Sequence, residues 1–169
     1  MSGGRALPQT VLEDRCAGVL VGLAAGDALG AGYEFRTPGP EHAEMVGGGV
    51  LDWEPGQWTD DTSQAICVAA NAAPGGSIDV DGVAGRLLAW YRSGPPDVGN
   101  QTRGVLDRCT APGDLAASAA RWYEQHPSGS AGNGSLMRTG PVSCSGPSWV
   151  RRASSASSPL GVGPSACTR

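Results

Sequence analysis

The chain has no lysine; all 12 of its basic residues are arginines. It has one phenylalanine, and aromatics make up only 5% of it. A core built on large rings is therefore excluded, and the 27 glycines point to packing between small residues. The arginines are scattered and outnumbered by 16 acids, giving a net charge of −4. Without a basic stripe, nothing favours a nucleic-acid surface. The longest apolar run, Cys16 to Ala25, is interrupted by glycines and reads as too short for a bilayer, which takes about 20 apolar residues. Glu13 and Asp14 before it and Asp27 after it are wrong for a signal peptide. Five cysteines (Cys16, Cys67, Cys109, Cys144, Cys167) are odd in number and form no CxxC pair. That pattern reads as reduced thiols in a soluble, cytoplasmic protein with no membrane association.

What is present is helical. Thr10 and Glu13 have capping-box spacing. Leu12, Cys16, Val19, Leu20 and Leu23 follow with the 3.6-residue period of one buried face. Gly18, Gly22 and Gly26 form a stripe that would admit a second helix, and Gly30 and Gly32 end the first. A second helix is expected from Asp60 to Ala73, before Pro74-Gly75-Gly76. A third runs from Asp79 through Val80, Val83, Leu87 and Tyr91 to Gly94. Shorter helices fit 101–109 and 114–126. With no alternating strand run, the class is all-α.

Chemistry concentrates in four places. The first is Gly26-Asp27-Ala28-Leu29-Gly30, with Glu34 on a glycine-flanked segment beyond it. Read alone, Asp27 needs a partner at the end of an apolar helix, as in holding a loop or an arginine. The second is Trp58-Thr59-Asp60-Asp61-Thr62, a hydroxyl beside two adjacent carboxylates. Hard oxygens of this kind suit Mg²⁺, Mn²⁺ or Ca²⁺. The same residues also suit a helix N-cap, and both readings stay open. The third is the polar loop Pro96-Asp97-Val98-Gly99-Asn100-Gln101-Thr102, explicable as turn chemistry. The fourth is Gly132-Asn133-Gly134-Ser135-Leu136-Met137-Arg138, whose glycines allow close backbone approach and whose following helix start would favour a phosphate. It is neither a Walker nor a Rossmann pattern.

In this order the four segments resemble the ADP-ribosylglycohydrolase family, which includes the dinitrogenase-reductase-activating glycohydrolases. The resemblance covers roughly residues 12 to 142. It implies an all-α orthogonal helical bundle with a binuclear Mg²⁺ or Mn²⁺ site at the base of a cleft. It implies metal ligands at Thr59, Asp60 and Asp61, and catalytic acids at Glu34, Asp61 and Asp97. Substrate-binding positions follow at Asp27, Asn133, Gly134, Ser135 and Met137. The implied reaction is hydrolysis of the bond between ADP-ribose C1″ and a protein side chain or a small acceptor. The expected partner is thus an ADP-ribosylated protein or a small ADP-ribosyl compound.

The chain departs from the family at its C-terminal side. Members run to roughly twice this length and complete the metal pair with a late Asp-x-Asp-Thr cluster. After Pro141-Val142 this sequence has three arginines, eight serines and no acid. The expected layout is an arm over 1–11, the N-terminal part of the family domain over 12–142, and a disordered or frame-shifted tail over 143–169. A truncated hydrolase follows, its activity impaired and at most one ion well held. A non-catalytic ADP-ribose-binding fragment and a purely structural helical protein are the alternatives.

Overall fold

The computed structural model describes residues 8–37, 39, 42–72 and 76–145. The tail expected beyond residue 145 lies outside them. Six α-helices follow in chain order: α1 (Gln9–Gly30), α2 (Asp60–Ala69), α3 (Val80–Arg92), α4 (Asn100–Leu106), α5 (Leu115–Gln125) and the single turn α6 (Gly134–Met137). Short 3-10 turns occupy Ala31–Tyr33, Pro112–Asp114 and Gly140–Cys144. The described residues contain no strand, only the isolated bridges Gly48–Trp53 and Ala72–Ile78. The all-α expectation holds.

The core lies between α2, α3 and α4. Cys67, Leu87, Leu88, Trp90, Val98, Leu106 and Cys109 are buried together, with Val83, Tyr91 and Leu115 against them. The predicted apolar period of α3 is the one that packs, except that Val80 in its first turn stays exposed. Asp79 caps α3 by accepting from Gly82 N–H at 3.0 Å. Asp114 receives the Thr110 hydroxyl and the Thr110 and Ala111 N–H groups, which fixes the entry to α5.

Several sequence expectations shift. The capping box at Thr10 and Glu13 does not form: α1 begins after Pro8, and Glu13 instead accepts from the Gln9 amide one turn earlier. Gln9 to Val11 therefore belong to the helix and not to an arm. At the other end, the turn Gly140–Cys144 runs into the segment read as tail, and Cys144 is buried. Helix α2 stops at Ala69, short of the expected Ala73. The reason is Asn71, whose side-chain amide donates to the Cys67 carbonyl while its own carbonyl receives Asp79 N–H.

Among the described residues, no second helix packs on the glycine stripe of α1. A Cβ added at Gly18, Gly22 or Gly26 would meet nothing within 4 Å. Close packing occurs instead at Gly140, which lies against Val19 and Leu23. Glycine and alanine also extend the apolar character of α1 beyond its large side chains. The span Gln9–Tyr33 is, by length and composition, long and apolar enough to cross a membrane. That corrects the reading of the run as too short. Its last turn nonetheless carries Asp27, which is built into the site described below.

Where α4 meets α5, Gly104 faces Trp122 so closely that a methyl group would overlap the indole ring. Gly104→Ala gains about 1 kcal/mol of helix propensity and loses about 2–3 kcal/mol to overpacking. The expected net loss is about 1–2 kcal/mol, read as a lower urea midpoint at unchanged slope.

Candidate active-site cleft

Asp27 organises the site. From the last turn of α1 its carboxylate accepts four hydrogen bonds from the start of α2. Two come from backbone N–H groups, Thr59 at 3.0 Å and Thr62 at 2.9 Å. Two come from hydroxyls, Thr59 Oγ1 at 2.7 Å and Thr62 Oγ1 at 2.6 Å. A helix start leaves N–H donors without intrahelical partners and favours negative charge. Here the cap comes from another helix, because Thr59 sits at the N-cap position and makes no side-chain cap bond of its own. Asp27 was grouped with substrate-binding residues; the structure gives its oxygens to Thr59 and Thr62 instead.

This arrangement frees Asp60 and Asp61 from capping. Both line an open cleft of about 380 Å³ together with Glu34, Asp97, Asn133, Gly134 and Met137. Glu34 lies just past the turn Ala31–Tyr33, and the next residue, Phe35, takes a left-handed φ of 60°. Tyr33 ties that segment down, its hydroxyl donating to the Glu44 carbonyl and accepting from Glu44 N–H. Thr59 faces a smaller cavity of about 170 Å³ that shares Asp60 and Asp97 with the main cleft. Ser135 falls on a third cavity, lined by Leu87, Val105 and Leu115 rather than by the acids.

The four cleft acids perturb one another. Asp60 is pushed up to about 7 from the ordinary 3.8, first by burial and then by the charges of Asp97, Asp61, Glu34 and Asp27. Asp61 is raised by burial and then by Asp27 and Asp97. Glu34 is raised by burial and then by Asp97, Asp61 and Asp27. Asp97 rises through burial and its acid neighbour Asp27, although Val98 N–H and Arg103 pull it down. Such clustering of raised carboxyls in a concavity is a recurrent mark of functional sites.

The glycine loop is fixed from two sides. Gly132 N–H donates to Gln101 Oε1 at 3.0 Å, and a Cβ at Gly132 would lie 2.7 Å from that same oxygen. A side chain there would push the Gln101 amide aside and break that hydrogen bond. At the loop's far end the Arg138 guanidinium donates to Gln64 Oε1, and Gln64 Nε2 donates to Asp60 Oδ2 at 3.0 Å. Gln64 is fully buried. Sequence reading assigned no role to Gln64 or Arg138. The available signal was a glutamine one helical turn after Asp60 on a helix whose other inward residues are small or apolar.

The donor set suits a hard divalent cation in kind. Thr59 Oγ1 spends its hydrogen on Asp27 and keeps its lone pairs, and Asp60 and Asp61 face the cleft, Asp60 with its Oδ2 engaged by the Gln64 amide. Among the described residues, however, no three His, Cys, Asp or Glu side chains gather closely enough to hold a metal ion.

A helical fold that gathers four acids beside a glycine loop defines a cleft suited to acid-assisted hydrolysis. The sequence model described as ADP-ribosylglycohydrolase matches residues 8–160, and the chain belongs to that family. The ADP-ribosylarginine hydrolase Tri1 of Serratia proteamaculans is 37% identical over 145 residues, covering 81% of this chain and 38% of the relative. The ADP-ribosyl-[dinitrogen reductase] glycohydrolase of Rhodospirillum rubrum is 39% identical over 137 residues, 78% of this chain and 44% of the relative. A solved ADP-ribosylglycohydrolase-related protein complex aligns with a TM-score of 0.52 at 37% identity, covering 78% of this chain and 42% of that one. The chain therefore spans about two fifths of the length of these relatives.

Proposed function

We propose that this chain carries one half of a hydrolytic site for ADP-ribosyl linkages, able to hold ADP-ribose and one Mg²⁺ or Mn²⁺ but slow in turnover. The observation that carries the reading is the single cleft shared by Glu34, Asp60, Asp61 and Asp97 with the glycine loop, in a chain of this family. Thr59, Asp60 and Asp61 would hold the cation, which when bound supplies orientation of ribose hydroxyls and acidification of a water. Asn133, Gly134 and Met137 line the same cleft as the acids and suit the diphosphate and its ribose. Asp97 accepts from a ribose hydroxyl, and a carboxylate of raised pKa, Glu34 or Asp61, takes a proton from water attacking C1″. The expected impairment rests on the ligand set: among the described residues no three His, Cys, Asp or Glu side chains gather closely enough to hold an ion. The substrate would be an ADP-ribosylated protein side chain, with arginine the first choice because two relatives are named for it. Among the described residues Cys16, Cys109 and Cys144 form no disulfide, which supports a reducing, cytoplasmic setting.

Calorimetry with ADP-ribose, with and without Mg²⁺, and release of ADP-ribose from an ADP-ribosylated arginine protein test the two parts. Binding heat is expected, with release at least about 100-fold slower than by a full-length relative, the scale of a lost acid or base. Absence of heat at millimolar ADP-ribose removes the binding half of the proposal. Brisk release that Asp60→Ala abolishes removes the impaired half.

A further inference from the structure

We propose that Arg138 is a positioning residue for Asp60, acting through the Gln64 amide to tie the glycine loop to the acid that faces the cleft. Arginine only donates, so the Gln64 oxygen must turn to Arg138. The amide nitrogen is then forced toward Asp60, where it donates to Oδ2 and leaves Oδ1 outside that contact. Gln64 has no water to fall back on, being 0% exposed. Its amide has two orientations, and Arg138 selects the one that offers Asp60 a donor. Were the amide reversed, its carbonyl would oppose the carboxylate. Arg138 follows α6 directly, so one guanidinium fixes both where the loop sits and how Asp60 is turned. Asp60, in turn, helps keep this half-buried arginine charged.

This inference rests on the proposed cation role of Asp60, and the experiment separates the two. Mn²⁺ binding to the whole chain is followed by electron paramagnetic resonance in wild type, Arg138→Met, Arg138→Lys and Gln64→Glu. Groups that orient a metal ligand typically contribute 10–100-fold in affinity. Arg138→Met and Gln64→Glu are expected to weaken Mn²⁺ roughly tenfold or more, and Arg138→Lys to recover part of the loss by supplying one donor to the same oxygen. Unchanged affinity in Arg138→Met overturns the positioning role, as does a lysine variant no better than methionine. A second readout needs no metal: the Gln64 Nε2 protons should exchange slowly with solvent and resonate away from free-amide positions in wild type, and should exchange faster and move toward those positions in Arg138→Met. If wild type binds no Mn²⁺, the cation reading fails while this spectrum still decides the tie. Gln64 signals identical in wild type and Arg138→Met overturn it.

Discussion

In the absence of divalent ions, the protein is expected to melt at a lower temperature at pH 8 than at pH 5, by roughly 5 °C. The cause is the set of acids in the cleft. Asp60 titrates at about 7 in the folded chain against an ordinary 3.8, so the fold binds that proton more tightly than the unfolded chain does. Its contribution is fully present below the ordinary value and is lost as pH climbs through about 7. Glu34, Asp61 and Asp97 are all raised, so each acts in the same direction. A cation among these carboxylates reverses the trend, because it binds the ionised, folded form and stabilises it by mass action. Millimolar Mn²⁺ or Mg²⁺ at pH 8 should raise the melting temperature, and should do little at pH 5, where protons compete. The net charge of −4 also disfavours the compact state at high pH, so Asp60→Asn serves as the control. It should flatten the pH profile and remove most of the metal response. Differential scanning calorimetry in EDTA and in metal decides the matter. A melting temperature that rises from pH 5 to pH 8 in EDTA would sink the account.

How far the sequence could lead depended on whether a property was local. Helix α3 was legible because its cap, its 3.6-residue period and its glycine stop are encoded within a few residues of one another. The approximate site was legible for another reason: acids and glycines in that order match a family, and the cleft collects Glu34, Asp60, Asp61 and Asp97 as that match implied. What stayed hidden was non-local or competitive. The Thr10–Glu13 box lost to a start two residues earlier, where Pro8 precedes the first turn and Gln9 engages Glu13. The end of α2 was decided by one asparagine amide reaching back to Cys67, ahead of the Pro-Gly-Gly signal. The glycine stripe of α1 was a true stripe, but spacing alone does not say what covers a face. At Thr59–Thr62 the cap comes from Asp27, 32 residues before Thr59, a contact that no local pattern shows. Gln64 and Arg138 lie 74 residues apart, and no single-sequence pattern announces such a contact.

That non-local cap gives the second large effect. Asp27→Ala should cost about 3–5 kcal/mol, a large part of the 5–15 kcal/mol that holds a typical domain together. Four donors lose their acceptor at once, and they have little access to water: Thr59 is 3% exposed and Thr62 2%. A hydrogen bond to a charged group is worth about 1.5–3 kcal/mol, and donors left buried and unpaired add their desolvation cost. The four are not additive, since water entering the cavity and rotation of the hydroxyls recover part of the loss. Asp27→Asn should fall between, because its single carbonyl oxygen still accepts while its NH₂ opposes the remaining donors. Urea unfolding at pH 7 measures both variants, with the midpoint falling and the slope unchanged. Function should follow stability here. With Asp27 gone, the Thr59 hydroxyl hydrogen is no longer held away from the cleft, and Mn²⁺ affinity should fall even in the fraction that stays folded. An alanine variant within about 1 kcal/mol of wild type would mean that α2 caps itself. The position of Asp60 and Asp61 would then need a different explanation from the one the Asp27 hydrogen bonds provide.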